Sequence, residues 1–403
     1  MSNLLTFAGP PHHLNILGPI VAACERQGAT NRWCTANAEA SFEHGLVERI
    51  GYAPDAWDMT TFFVDDDERR RLYDGYLQQV QPHYLTSNPL GMVLSPVADR
   101  ILWDIATDTS GMRRLLEERQ PSATLMLHEI NRWGKLLAFW STEMDIPTFS
   151  VQEGMYYGDV RAYTGHNQFS TSLVWGEQTK IKLVAAGNDP RRIEVIGHPY
   201  LTKRWAHANT DEEKAKAWAS LPPHFQGKRI VTIYVTGITI SEQLSLAPLM
   251  AGLKESPYRL VFQSAILGDL KEIEKLQKLL LPYREEAYYC PDMSLLWQQA
   301  AISDVVCVWG CSTFGLEMAW AGKPLAEMWA PGQPLDFEAA GISVPAMMTE
   351  DPQTKQIRSA VLWIERALEQ HARAEYREKT KEWVDGYVSD ADAATRIAER
   401  ILS

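Results

Sequence analysis

The chain has little cysteine, five in 403 residues, at Cys24, Cys34, Cys290, Cys307 and Cys311. The number is odd and no C-x-x-C occurs, so neither a disulfide framework nor a structural zinc site is indicated, and a reducing compartment fits best. The C-x-x-x-C from Cys307 to Cys311 fits no metal template and reads as small buried residues. Positive charge is scarce as well. The 39 Lys and Arg stand against 51 Asp and Glu, a net −12, which excludes a broad basic footprint, so no nucleic-acid partner is expected. No apolar run reaches membrane-spanning length. The most apolar window, 304–330, is interrupted by Glu317, Lys323 and Glu327, so membrane contact is expected to be peripheral at most. The first residues lack a basic n-region and Gly9-Pro10-Pro11 ends their apolar run, which does not read as a signal peptide. A cytoplasmic protein is expected.

What is present is alternation. Short apolar runs alternate with longer amphipathic stretches, the pattern of strand and helix units on a mainly parallel sheet. In the first half strands are expected at 4–7, 124–127, 148–151 and 172–175, with helices at 15–27 (closed by Gly28), 132–144 and 178–186. Residues 42–116 read as mostly helical with a weaker pattern. A composition shift at 200–228, with the charged Asp211-Glu212-Glu213-Lys214 and then Leu221-Pro222-Pro223, marks a hinge. A second series follows, with strands at 229–236, 259–263, 287–290 and 304–309 and helices at 242–253, 270–280, 293–300 and 313–321. Residues 357–383 read as one long helix and 391–402 as a last amphipathic one. The expected fold class is α/β, with two Rossmann-like domains facing across a cleft. The boundaries are 1–199, 200–383 and a C-terminal segment, 384–403, that packs back on the first domain. Ligand groups in such folds gather at the carboxyl ends of the strands.

The strongest chemical signal is the segment 304–324. A buried strand runs into Gly310-Cys311-Ser312-Thr313 and then into a helix carrying Glu317. A helix N-terminus in this position favours a phosphate, and Glu317 one turn on suits ribose hydroxyls. A plain N-cap at Ser312 or Thr313 with Glu317 as a favourable first-turn acid accounts for the residues equally well.

In the order Ser312, Thr313, Glu317, Gly322, Lys323, Pro324, the segment resembles the second domain of two-domain glycosyltransferases of the GT-B fold. Two further stretches agree. Trp175-Gly176, a helix, then Asp189-Pro190-Arg191-Arg192-Ile193 and Gly197-His198-Pro199 is similar to the exit from the first domain in bacterial surface-polysaccharide transferases. Gln152-Glu153-Gly154 is similar to the Q-[HE]-G of the same group. The resemblance covers about the last two thirds of the chain and none of 42–119.

The resemblance implies a first domain on the acceptor side and a second that binds a nucleotide sugar. Ser312, Thr313 and Glu317 would hold its phosphates and ribose, with Gly310 and Gly237 in close turns and the base near residues 288–293. His198 at the hinge is a further donor-side candidate, and a structural turn accounts for it equally well. The implied partners are a nucleotide-sugar donor and a glycan or glycolipid acceptor. No cofactor and no essential metal are expected. Val261-Phe262-Gln263-Ser264 departs from the basic or His-Pro motif of many relatives, so the donor nucleotide stays open.

Glycosyl transfer to a hydroxyl calls for a base and for stabilisation of the departing phosphate. Candidates at strand ends are His12 and His13, His128 and Glu129, and Glu153. Glu153 is the preferred base with His128 as its neighbour, since consecutive parallel strands bring such loops together; His13 is a third catalytic candidate. Asp65-Asp66-Asp67-Glu68 contains D-x-D, but the following Arg69-Arg70-Arg71 makes it a solvated helix start with ion pairs. Two alternatives share the architecture or the donor site: a nonhydrolysing UDP-sugar 2-epimerase, which needs a more basic hinge, and a catalytically silent nucleotide-sugar-binding scaffold.

Overall fold

In the computed structural model of the chain, residues 2–9, 13–36, 57–84, 89–156, 160–235, 246–264, 270–309, 312–329, 336–347 and 359–403 are described. They form two compact units. The first comprises Met1–Glu153, Val160–Tyr200 and Ser389–Ser403; the second comprises Gly154–Asp159 and Leu201–Val388.

The first unit is built on seven parallel strands, β1 (Asn3–Phe7), β2 (Thr30–Thr35), β3 (Trp57–Met59), β4 (Ala123–Met126), β5 (Thr148–Val151), β6 (Thr171–Val174) and β7 (Ile193–Val195), ordered β3-β2-β1-β4-β5-β6-β7. β4 and β5 are buried along their whole length, as strands of a parallel sheet covered on both faces must be. The His13–Arg26 helix buries Leu14, Ile16, Leu17, Ile20, Val21 and Cys24 and is closed where Gly28 takes φ +86°, a left-handed value that costs a residue without Cβ nothing. β2 has no apolar run to announce it. Its outer half is exposed, and it is recruited by pairing with β1, Leu4 opposite Asn31 through Phe7 opposite Cys34. The direction of strand addition reverses between β1 and β4, and their carboxyl ends form the natural ligand position of such a sheet.

The second unit carries six parallel strands, β8 (Arg229–Val235), β9 (Tyr258–Ser264), β10 (Ala287–Tyr289), β11 (Ser303–Trp309), β12 (Leu325–Trp329) and β13 (Val344–Met347), ordered β10-β9-β8-β11-β12-β13. Its reversal lies between β8 and β11. Phe262, Leu260, Val305, Met328 and Trp363 are fully buried in its core, each contributing roughly 1.5–3 kcal/mol by leaving water. β12 and β13 are strands that periodicity does not announce. β13 lies at the sheet edge, the place in a sheet where a proline such as Pro345 is tolerated.

The single helix expected over 357–383 is two, Ala360–Ala372 and Ala374–Tyr387, separated by an extended Arg373. The break strands the last carbonyls of the first helix. Arg377 Nη1 supplies donors to them, at 2.9 Å from His371 O and 2.8 Å from Ala372 O, which offsets the interruption. From Ser389 the chain belongs to the first unit. The Ser389 amide donates to Trp175 O at 2.9 Å, and Arg400 grips Glu194 through two bonds of 2.7 Å. The closing helix, Ala394–Leu402, buries Ala394, Ile397, Ala398 and Ile401 against the His13–Arg26 helix. Among the described residues no helix is long and apolar enough to cross a membrane.

Candidate functional site

Three elements of the first unit converge on one carboxylate. His13 opens the helix after β1, His128 follows β4, and Glu153 follows β5. His128 Nε2 lies 2.8 Å from Glu153 Oε2, and His13 Nε2 lies 3.6 Å from Glu153 Oε1. The imidazole rings meet edge to face with centroids 6.0 Å apart. The Glu153 side chain is 32% exposed, that of His128 17% and that of His13 4%. Glu153 is thus the most open to solvent of the three and His13 the most enclosed. The His13 ring is buried beside the end of β1, where the Gly9 amide donates to its Nδ1.

The ligating atoms of this trio lie within 4.8 Å of one another, a spacing that can hold a metal ion. Hydrogen bonding on the far side of the rings opposes that use. The Gly9 amide donates to His13 Nδ1 at 3.2 Å, so Nδ1 carries the lone pair and Nε2 the proton in the neutral ring. A metal-bound histidine shows the reverse, donating its other N–H outward and offering a bare nitrogen to the ion. The donor set suits a carboxylate that receives imidazole N–H groups better than it suits a cation.

Glu129 is a candidate acid by position alone. The structure buries it and turns it to the loop before β6, where it accepts from Phe169 N (3.1 Å), Ser170 N (2.8 Å) and Ser170 Oγ (2.7 Å). Burial pushes its carboxyl up, and these donors pull it back. It organises a loop and is removed from the chemistry. The acids of the D-x-D stretch are likewise engaged: Asp65 Oδ1 accepts from Glu68 N at 2.9 Å, and Asp65, Asp66 and Glu68 pair with Arg114, Arg69 and Arg113.

In the second unit, the Thr313–Trp320 helix starts beyond β11. Ser312 is its N-cap, with Oγ accepting from Gly315 N at 3.1 Å. Thr313 Oγ1 accepts from Met155 N at 3.0 Å, and a Cβ on Gly154 would come 2.7 Å from that oxygen, which explains the glycine there. Both hydroxyl oxygens expected at a phosphate are thus acceptors within the protein, and each keeps its own O–H to donate. Glu317 is buried one turn further. Burial pushes its carboxyl up to about 7, and the Arg204 guanidinium pulls against that rise. Arg204 itself stacks 4.5 Å from the centroid of Trp297; no sequence pattern singled it out. Lys323, from the corner that completes the resemblance, is at the other end of β11, donating to Ala301 O (3.0 Å) and Ser303 O (2.8 Å). There it braces the start of the strand.

His198 was expected on the donor side. It is buried between Trp175 and Tyr200, with ring centroids at 4.3 and 4.9 Å, and its backbone amide and carbonyl bind Asp390 O and Ala393 N. The described contacts give it a structural place where the C-terminal segment joins the first unit. His12, Gly237, Gly310 and Cys311 lie outside the described residues. Cys24, Cys34, Cys290 and Cys307 are free and buried.

Glu317 allows a sign-worked prediction. A carboxyl whose pKa rises from 4.5 to about 7 on folding contributes stability that is fully present below pH 4.5 and lost as pH climbs through 7. Replacing it by Gln removes that loss. Urea midpoints at pH 5 and pH 8 are expected to show Glu317→Gln gaining on the wild type by up to about 3 kcal/mol at the higher pH; parallel pH curves for the two proteins would reject the burial account.

No protein-family model matches the chain, and no curated protein matches it in sequence. Solved structures do match in three dimensions. A UDP-GlcNAc 2-epimerase from Neisseria meningitidis, bound to UDP-GlcNAc, superimposes with a TM-score of 0.62 at 12% identity over 100% of this chain and 99% of its own. A glycosyltransferase from Rickettsia africae gives 0.58 at 11% over 100% and 99%. Anabaena HepE, in complex with UDP and glucose, gives 0.54 at 14% over the whole of both chains. The chain has the GT-B fold. Two Rossmann-like sheets, each with its reversal point beside one of the residue groups above, are the two halves of that architecture.

Proposed function

We propose that the protein is a glycosyltransferase that moves a sugar from a nucleotide-sugar donor to a hydroxyl of a glycan or glycolipid, in surface-polysaccharide synthesis. The observation that carries this reading is the partly exposed Glu153 carboxylate, with His128 at 2.8 Å, at the carboxyl ends of adjacent parallel strands. In this role Glu153 takes the acceptor hydroxyl's proton as the oxygen attacks the anomeric carbon, and the bond to the donor phosphate breaks. The departing phosphate is stabilised by the dipole at the start of the Thr313–Trp320 helix and by the Ser312 and Thr313 hydroxyls, with Glu317 on the ribose. The roles divide between the units, donor binding in the second and proton removal in the first. Support comes from the GT-B fold shared with proteins whose structures hold UDP or UDP-GlcNAc.

A second reading, a UDP-sugar 2-epimerase, is favoured by the full-length likeness to the Neisseria epimerase. Glu153 and His128 would then move a proton on the sugar itself. Products separate the two. Nucleotide released only with an added acceptor identifies transfer, interconversion of the sugar alone identifies epimerisation, and binding without turnover identifies a scaffold.

Donor binding is tested first by a thermal-shift screen of nucleotides. A ligand at a hundred times its Kd adds about 2.7 kcal/mol to stability. One nucleoside diphosphate is expected to give that shift, and Glu317→Ala is expected to remove it. A variant that keeps the full shift would place the nucleotide elsewhere.

A further inference from the structure

The orientation of His128 is set by a residue that neither the sequence patterns nor the shared fold singles out. Asn131 is the N-cap of the Arg132–Glu143 helix, its Oδ1 accepting from Gly134 N at 2.7 Å. That bond fixes which end of the amide is oxygen, and it leaves Nδ2 facing His128 Nδ1 at 3.5 Å. An amide nitrogen has only protons to offer, so His128 Nδ1 must supply the lone pair and Nε2 the proton. The helix start is pinned against this turn, since a Cβ on Gly134 would stand 2.3 Å from His128 O. On the other side of the carboxylate, the Gly9 amide imposes the same state on His13. The two far-side donors thus turn both Nε2–H groups toward Glu153.

We propose that Asn131 is a positioning residue that holds His128 in the Nε2–H tautomer, so that the Glu153 carboxylate receives the His128 Nε2–H at 2.8 Å. The effect on turnover rests on the transferase reading above; the hold on the ring does not. The charged and titratable groups around His128 are Glu153 beyond β5, His13 on the first helix and His166 in the loop before β6. Glu129, its chain neighbour, is turned to Phe169 and Ser170, and Lys135 on the same helix donates to Gln168 Oε1 and Gly165 O.

The test exploits the double duty of Asn131. Asp is as good an N-cap as Asn, so Asn131→Asp keeps the cap while replacing the donor to His128 by an acceptor. Full-length protein carrying 15N-histidine is titrated by NMR, with the His128 signals assigned by their loss in His128→Asn. The wild type is expected to show a bare Nδ1 and a protonated Nε2. Asn131→Asp is expected to protonate Nδ1 and to raise the His128 titration midpoint by about one pH unit or more, with an unchanged melting temperature. Asn131→Ser, which caps without adding charge, is expected to show mixed tautomers. A wild-type ring protonated at Nδ1, or an Asp variant with unaltered nitrogen shifts and midpoint, overturns the proposal. The pH profile of turnover is expected to move with the midpoint. If the NMR signals change as expected and that profile stays still, the hold on the ring stands and the catalytic placement of Glu153 falls.

Discussion

Glu153→Gln is expected to lower the turnover number about a thousandfold while leaving nucleotide binding intact. The size follows from the 10²–10⁴ contributed by a positioned proton acceptor. The substitution keeps the shape of the side chain and one carbonyl oxygen, but it removes the charge and introduces an NH₂ group. The carbonyl oxygen can keep the His128 Nε2–H at 2.8 Å with the NH₂ turned toward His13, whose Nε2 at 3.6 Å lies beyond hydrogen-bond distance, so what the variant loses is the charge and the proton-accepting oxygen. The loss should fall on kcat, since Ser312, Thr313 and Glu317, the residues proposed to bind the donor, belong to the other unit. The measurement is steady-state release of nucleoside diphosphate with saturating donor and acceptor. A variant retaining more than a tenth of wild-type kcat would remove Glu153 from the chemistry.

Asp58→Ala is expected to cost about 3 kcal/mol, near 10 °C in melting temperature for a unit of this size. Asp58 is 4% exposed on β3, the edge strand of the first sheet. Arg119, in the last turn of the Pro89–Arg119 helix, donates to both of its oxygens at 2.9 Å, and Arg32 Nε on β2 stands 2.6 Å away. Removing the carboxylate leaves two guanidinium groups facing each other without a counter-charge. Arg32 is exposed and Arg119 half-buried, so both can turn partly to water, which places the loss at the lower end of the 3–5 kcal/mol typical of broken buried pairs. Asp189→Ala is the control. Asp189 pairs with its near neighbour Arg191, whose side chain is solvent-exposed, and a much smaller loss is expected there. Equal losses from the two substitutions, read by calorimetry, would mean that burial of the Asp58 cluster does not govern its strength.

The parts of the fold that were legible are those whose signal is local. The Leu270–Leu280 helix and the Thr148–Val151 strand occupy the bounds that periodicity gives, because each exposes or buries residues at its own repeat. The pairing of His128 with Glu153 was also readable, since it needs only that successive parallel strands lie side by side. β2, β12, β13 and the break at Arg373 were not. A strand such as Thr30–Thr35 has half its surface in water, and its existence is decided by the neighbour that supplies its ladder.

The sequence by itself determined the alternation of strand and helix, hence two parallel sheets and a set of polar residues collected at their carboxyl ends. Tertiary structure alone decided which of those residues are engaged elsewhere. Glu129 is taken by Ser170, 41 positions away, and Thr313 receives the amide of Met155, 158 positions away. Asn131 looks like any helix cap until His128 is seen on its other side. The reason is that a side chain's proton state and reach depend on partners brought within hydrogen-bonding reach by folding, and periodicity along the chain carries no record of those distances.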